Sequence, residues 1–157
     1  DVLGSRGLGD VYKRQIYNIA TVCICGGFAP LFNGGWLEVA GASAAGAVLA
    51  LIVTIGKKLK IQGFIQDVLS SFGLALMAIF LKRQFPAMNM DTVIISGIMP
   101  LVPGVAITTA IRDTLQGDYL SGCARILEAF LCAVSVALGV ALAMAATGIM
   151  GTGGVVL

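Results

Sequence analysis

The sequence predicts an all-α, polytopic membrane protein, a bundle of five transmembrane helices whose fourth helix is broken by prolines. Of its 157 residues, 58% are hydrophobic and 11% are charged, whereas a soluble domain carries about 25% charged residues. Ten Lys and Arg and eight Asp and Glu are too few to cover a water-facing surface. This composition excludes a soluble domain and a disordered chain, and a net charge of +2 is too small for a nucleic-acid partner.

Residues 1–15 are expected to be a non-native leader. The chain begins with Asp1 rather than Met, and hydrophobicity begins abruptly at Ile16. The string Leu8–Gln15 is similar to translated adapter sequence at the ends of assembled reads, which would make it foreign to the fold. The alternative is a genuine polar lead-in to a helix. We therefore predict the transmembrane domain over residues 16–157.

Five apolar runs are each long enough to cross a hydrocarbon core of about 30 Å, which needs about 20 residues. They are apolar all round rather than striped, which is typical of helices that face lipid. The third run contains Asp67 near its start, and we expect this carboxylate at the membrane interface. The predicted helices cover residues 16–33, 37–56, 64–83, 92–111 and 120–146.

Short segments rich in Gly, Pro and charged residues separate these runs. Because the loops are short, backbone hydrogen bonds stay within helices, as the bilayer requires. These separators are residues 33–35, 56–60, 82–86 and 116–118.

The distribution of Lys and Arg predicts a cytoplasmic N-terminus. Two basic residues, Lys82 and Arg83, lie on one predicted side of the membrane. An excess of Lys and Arg marks the cytoplasmic side. Five basic residues lie on the opposite side, which is also the side of the N-terminus. They are Lys57, Lys58, Lys60, Arg112 and Arg125.

The fourth run contains Pro100, Pro103 and Gly104. Each proline removes a backbone donor and clashes with the preceding turn, so the helix should kink or unwind near mid-membrane. Broken backbone at that depth persists only when it is buried in protein or lines a watery cavity, and transporters use such breaks to aim helix ends at ligands. A harmless proline kink is the alternative.

Polar residues follow the break. Thr108, Thr109 and Arg112 have the spacing of one helix face, and Ser121, Arg125 and Glu128 fall along another stripe. We expect Arg125 or Arg112 to neutralise Glu128, because ionisable groups inside a membrane are costly when unpaired. The alternative is a structural ion pair at the cytoplasmic edge.

Catalysis and metal binding are not expected. The chain has no His, which removes the commonest general base and metal ligand. The four Cys lie in apolar runs and are interpreted as small apolar residues. Gly41–Ala45 falls one residue short of a G-x-S-x-G motif, and Gly117–Asp118 lacks the second Asp of an intramembrane aspartyl protease. We predict no catalytic residue, no metal and no cofactor.

The run Met99–Asp113 resembles the signature of the threonine/serine exporter family. The likeness continues through Gly117–Asp118 to Glu128–Ala129, includes the hairpin Phe28–Trp36, and covers about 16–146. It implies export of threonine, serine or related small metabolites by a proton-coupled antiporter in a bacterial inner (plasma) membrane.

The resemblance also implies partners. The five helices would be half of a transporter, with a second five-helix half that is fused or separate. Because five is odd, that half would be inverted relative to the first. The expected partners are the small-molecule substrate, the lipid bilayer and this second half, with self-association left open and no nucleic acid.

On this hypothesis the polar residues have two roles. Arg112 and the helix end at Gly104 would hold the substrate carboxylate, and Asp113 or Glu128 would titrate as the coupling group. The competing hypothesis is a non-transporting scaffold subunit whose charges only hold helices together. The expected substrate-binding residues are Pro103, Gly104, Thr108, Thr109 and Arg112, and the expected coupling or ion-pair residues are Asp113, Asp118, Arg125 and Glu128.

Overall fold

The structure, a computed structural model, describes the backbone of residues 2–148 and the side chains of Tyr12 and of residues 15–148. Within this part of the chain every regular element is a helix. In chain order they are α1 (Val2–Phe28), a 3₁₀ turn (Ala29–Phe32), α2 (Trp36–Lys58), α3 (Gly63–Gln84), α4 (Met90–Ile98), a second 3₁₀ turn (Met99–Leu101), α5 (Gly104–Leu115) and α6 (Tyr119–Ala146).

Four of the described helices are long and apolar enough to cross a membrane, and the number rises to five if α4 and α5 form one span. The all-helical prediction is confirmed for the described residues. The helices predicted over 37–56, 64–83 and 120–146 correspond to α2, α3 and α6. The expectation that residues 1–15 are foreign stays a prediction.

The run predicted as residues 92–111 is divided into two segments, Met90–Leu101 and Gly104–Leu115, bent by 52°. Val102 N donates to Met99 O at 3.2 Å, and Gly104 N donates to Val102 O at 2.8 Å. These short-range bonds replace the regular helical ladder because Pro103 has no N–H to donate. The backbone restarts as α5 with Pro103 at its N-cap.

Close helix packing depends on small residues. A methyl group on Gly46 would lie 2.7 Å from Cys25 Sγ on α1, and one on Gly41 would lie 2.8 Å from Met88 Sδ. α3 packs most extensively on α6, α2 packs on α1 and α3, and α5 packs mainly on α6. The apolar core lies between α2, α3 and α4 and contains Leu49, Val53, Leu74, Ala78 and Val93.

Substitution of Gly139 by alanine is expected to destabilise the α3–α6 contact. The added Cβ would collide with Ser71 Oγ and the backbone oxygen of Val68, and would lie 3.0 Å from Phe72 N. Because backbone atoms cannot rotate away, we expect a loss of about 1–3 kcal/mol in free energy of unfolding, measured in detergent. Gly27→Ala is the matched control, since nothing lies within 4 Å of its added Cβ. Equal stabilities of the two variants would contradict this packing.

Glu38 has a structural role at the start of α2, two residues after the exposed Trp36. Trp36 is exposed, but Glu38 is only 8% exposed. Its carboxylate accepts hydrogen bonds from Gly35 N at 2.8 Å and from Asn89 N at 2.9 Å. Glu38 therefore joins the start of α2 to the start of α4. The spacing of Gly35 and Glu38, which fits half of a capping box, was the available sequence signal.

Candidate functional site

α5 presents a polar face at the edge of the bundle. Thr108 Oγ1 donates to Gly104 O at 3.1 Å, and Thr109 Oγ1 donates to Val105 O at 2.7 Å. Since each hydroxyl hydrogen is used within the helix, the oxygens remain available as acceptors. One turn later, Arg112 is exposed, and no ion pair or hydrogen bond engages its guanidinium within residues 15–148. The face thus offers acceptors beside an unpaired cation.

The N-terminus of α5 is open. Pro103, its N-cap, provides no side-chain hydrogen bond to the first turn, and a Cβ on Gly104 would meet nothing within 4 Å. The first-turn amides can therefore face an anion. However, eight residues separate Gly104 from Arg112, which is about 12 Å of helix. At this distance the open helix end can assist Arg112 only through its dipole, and a shared role in binding a carboxylate stays a prediction.

The pairing expected for Arg125 is wrong. Arg125 Nε lies 2.9 Å from Asp113 Oδ2, across the α5–α6 interface, and Ser121 Oγ donates to the same oxygen at 3.3 Å. Glu128 is exposed and forms no salt bridge in the described residues. The partner of Arg125 is therefore Asp113 on the facing helix, and not Glu128 on its own helix. Asp118 caps α6 by accepting from Ser121 N at 3.2 Å.

The Asp113–Arg125 pair is expected to contribute little to stability. The Arg125 side chain is 47% exposed, and that of Asp113 is 15% exposed. Because solvent screens the charge of the half-exposed Arg125, its attraction to Asp113 is weak. Asp113→Asn should therefore lower the free energy of unfolding by about 1 kcal/mol or less. A double-mutant cycle with Arg125→Gln measures the coupling directly. A coupling several times larger would show that the pair is buried in the assembled protein.

A groove of about 780 Å³ lies beside the break, and apolar side chains dominate its lining. It runs between the α4–α5 segments and α6, bounded by Ile98, Leu101, Ile107 and Phe130. Of the predicted site residues it contacts only Pro103. Thr108, Thr109 and Arg112 do not line this groove. They lie on an outer face.

A second polar cluster lies at the break itself. Cys132 Sγ on α6 is 3.5 Å from Asp67 Oδ2 and 3.3 Å from Leu101 O. On the other side, Cys25 Sγ on α1 donates to Gly97 O at 3.5 Å. Two thiols thus contact backbone carbonyls at the break, one just before the second 3₁₀ turn and one at its last residue. The interpretation of these cysteines as merely apolar residues is incomplete, because only the tertiary structure reveals their acceptors.

Asp67 belongs to this cluster, and Ser70 follows it by one turn of α3. Asp67 is half-buried in the structure and hydrogen-bonded to Cys132, and its position at the membrane interface stays a prediction. Ser70, one turn later, is 0% exposed. Among the described residues, its Oγ is the buried side-chain oxygen that has no hydrogen-bond partner. Leaving such a group unpaired costs about 1–3 kcal/mol, so it calls for an explanation.

These features define a polytopic α-helical membrane protein with polar residues around an interrupted helix, an arrangement typical of transporters. A family model described as "Putative threonine/serine exporter" matches residues 8–147. The chain belongs to this family. Neither the search of curated proteins nor that of solved structures returned a significant match.

Proposed function

We propose that this chain is one half of an exporter of threonine, serine or related small metabolites. The observation that carries the proposal is Arg112 on the outer polar face of α5, about 12 Å of helix beyond the bend, which has no ion-pair or hydrogen-bond partner among the described residues. An ionisable residue without a partner on a membrane span is a functional hypothesis by default. The family match supports the choice of substrate class.

The α4 and α5 segments would form one broken span. Each of Met90–Leu101 and Gly104–Leu115 rises about 18 Å along its own axis. At an inclination of 52°, the second adds about 11 Å along the first, and the sum of about 29 Å matches a core of about 30 Å. This gives five spans, with a cytoplasmic N-terminus from the excess of Lys and Arg and a location in a bacterial inner membrane.

The substrate would pass between two halves rather than through this one. α5 packs mainly on α6, and its face with Thr108 and Arg112 is exposed in the single chain. A second five-helix half, fused or separate, would cover that face and exclude lipid from it. Because five helices reverse direction, this half would be inverted, which suits alternating access.

Each polar group of the face would bind one part of an amino acid. The guanidinium of Arg112 would hold the carboxylate through charge-assisted hydrogen bonds. The oxygens of Thr108 and Thr109 would accept hydrogen bonds from the ammonium group, since both hydroxyls donate to backbone carbonyls. Export would exchange the substrate for protons, in the manner of an antiporter.

The test is export of labelled threonine from liposomes that contain this chain together with its second half. A pH gradient should drive export, and removal of the gradient should stop it. Export that is the same with and without the gradient would exclude proton coupling. No export of threonine, serine or a related small metabolite would exclude the function.

A scaffold subunit is the second candidate. The contacts of Asp113 with Arg125 and Ser121 favour it, because they connect α5 to α6 without any substrate. It predicts that exchanging the two charges, with Asp113→Arg and Arg125→Asp, preserves function, and that Arg112→Ala leaves export unchanged. Loss of export in a well-inserted Arg112→Ala protein would exclude it.

A further inference from the structure

We propose that Asp67 is the proton-binding group of this transporter and that the Cys132 thiol links its protonation to the helix break at Leu101. The inference rests on the proposed function, because it assigns the coupling site of the same protein. The site consists of Asp67, Cys132 and the carbonyl of Leu101, with Ser70 one turn after Asp67 on α3.

The thiol of Cys132 has one hydrogen and two acceptors within reach. Its sulfur lies 3.5 Å from Asp67 Oδ2 and 3.3 Å from Leu101 O. Since one S–H donates fully to only one oxygen, the two hydrogen bonds compete. Leu101 is the last residue of the 3₁₀ turn, so the second acceptor belongs to the interrupted backbone.

The charge of Asp67 decides this competition. An ionised carboxylate is the stronger acceptor, and it draws the thiol hydrogen away from Leu101. When a proton binds Asp67, the neutral carboxyl is a weaker acceptor, and the thiol turns to the carbonyl. The proton added forms the O–H bond of Asp67, and the thiol keeps its own hydrogen. Protonation therefore changes which groups stabilise the break.

Ser70 provides independent support for a ligand at this place. Its fully buried Oγ has no hydrogen-bond partner. Ser70 follows Asp67 by one turn of α3, and the next residue along the same face, Leu74, packs against Gly97 of α4. Along the axis of α3, Ser70 therefore lies between Leu74, which contacts α4, and Asp67, which contacts Cys132. A water molecule that carries the proton to Asp67 would satisfy this hydroxyl.

Among the described residues no salt bridge engages Asp67, and Lys58 and Lys60, which precede α3, form none with it. On α6, the titratable groups nearby are Cys132 itself and Glu128, one turn earlier. Lys57, at the end of α2, is engaged elsewhere, because its ammonium lies 4.4 Å from the centroid of the Tyr17 ring. α4 contributes Asp91 at its far, N-terminal end. Asp113, an expected coupling group, is instead bound by Arg125.

Infrared titration of the purified chain in phosphatidylethanolamine–phosphatidylglycerol vesicles tests the site. On acidification, the carboxyl band of Asp67 should appear, and the S–H band of Cys132 should shift with the same midpoint. The difference spectrum against Cys132→Ala identifies the S–H band. An S–H band that does not move with pH overturns the proposal.

Two variants separate Asp67 from its neighbours. Asp67→Asn should abolish the shift of the S–H band, and Glu128→Gln should retain it; the reverse result overturns the proposal. If Asp67→Asn fails to insert into the membrane, Asp67→Glu replaces it. This variant moves the carboxyl by one methylene and must displace the pH midpoint of the S–H band shift. An undisplaced midpoint overturns the proposal as well.

A flux measurement separates this inference from the proposed function. In wild-type protein the pH gradient should accelerate threonine export, and in Asp67→Asn the acceleration should fall about tenfold, the scale of a typical coupling energy. Gradient-driven export that survives in Asp67→Asn refutes the role of Asp67 and leaves the exporter intact. Absence of export in wild type, together with a normal infrared response, refutes the exporter and retains the proton site.

Discussion

Arg112→Ala is expected to reduce threonine export about tenfold to a hundredfold at low substrate concentration, the usual worth of a hydrogen bond to a charged group. The guanidinium has no partner among the described residues, so its removal breaks no contact within this chain. The free energy of unfolding should therefore remain close to that of wild type. Initial export rates over a range of threonine concentrations, beside thermal unfolding in detergent, measure both quantities.

Arg83→Ala is the matched control for this prediction. Arg83 is also an exposed arginine, but it lies in the last turn of α3, away from the break. Its replacement should leave export and stability as they are. Equal losses of export in the two variants would mean that arginine charge acts through insertion or orientation, and the role assigned to Arg112 would be abandoned.

The double variant Pro100→Ala, Pro103→Ala is expected to abolish most export while making the protein more stable. Alanine restores two N–H groups, and the one at position 103 can donate to Met99 O, which now accepts from Val102 N. A proline inside a helix costs about 3 kcal/mol relative to alanine, so a continuous helix would gain stability. A continuous helix would also reduce the 52° bend, and the first-turn amides of α5 would then donate within the helix and no longer be available to a ligand.

Stability and transport should thus change in opposite directions, which a merely damaged protein does not show. Hydrogen exchange of the amides of Val102 and Gly104, which wild type and variant share, reports whether the break has closed. Pro86→Ala is the control, because Pro86 lies in the exposed loop between α3 and α4. Full export by the double variant, with exchange at these amides slowed, would show that the break is dispensable.

The helix positions were largely predictable from the sequence. Charge-poor runs between Gly, Pro and Lys-rich loops place α2, α3 and α6 within two residues of their observed bounds. The bilayer requires satisfied backbone hydrogen bonds, so long apolar runs have few alternatives to a helix. Pro100 and Pro103 likewise indicate where the fourth run is interrupted, since neither has an N–H to donate.

The contacts between helices were not predictable in the same way. The sequence offered Arg125 or Arg112 as the partner of Glu128, but the structure pairs Arg125 with Asp113 on the facing helix. The thiol of Cys132 meets Asp67 and Leu101, residues 65 and 31 positions away in the chain. Spacing reports neighbours on one helix, whereas these contacts depend on which helix faces pack together.

The central claim is that the substrate passes along the polar face of α5. Protection by substrate of a cysteine introduced on this face tests it most directly. Thr108→Cys, in a chain whose exposed Cys23 and Cys123 are replaced by alanine, is labelled with a membrane-impermeant thiol reagent in the assembled transporter. We predict that labelling proceeds and that threonine slows it, while labelling of a Leu120→Cys control is unaffected by threonine. A Thr108→Cys thiol that does not react, or that reacts equally fast with and without threonine, would contradict a substrate route along α5.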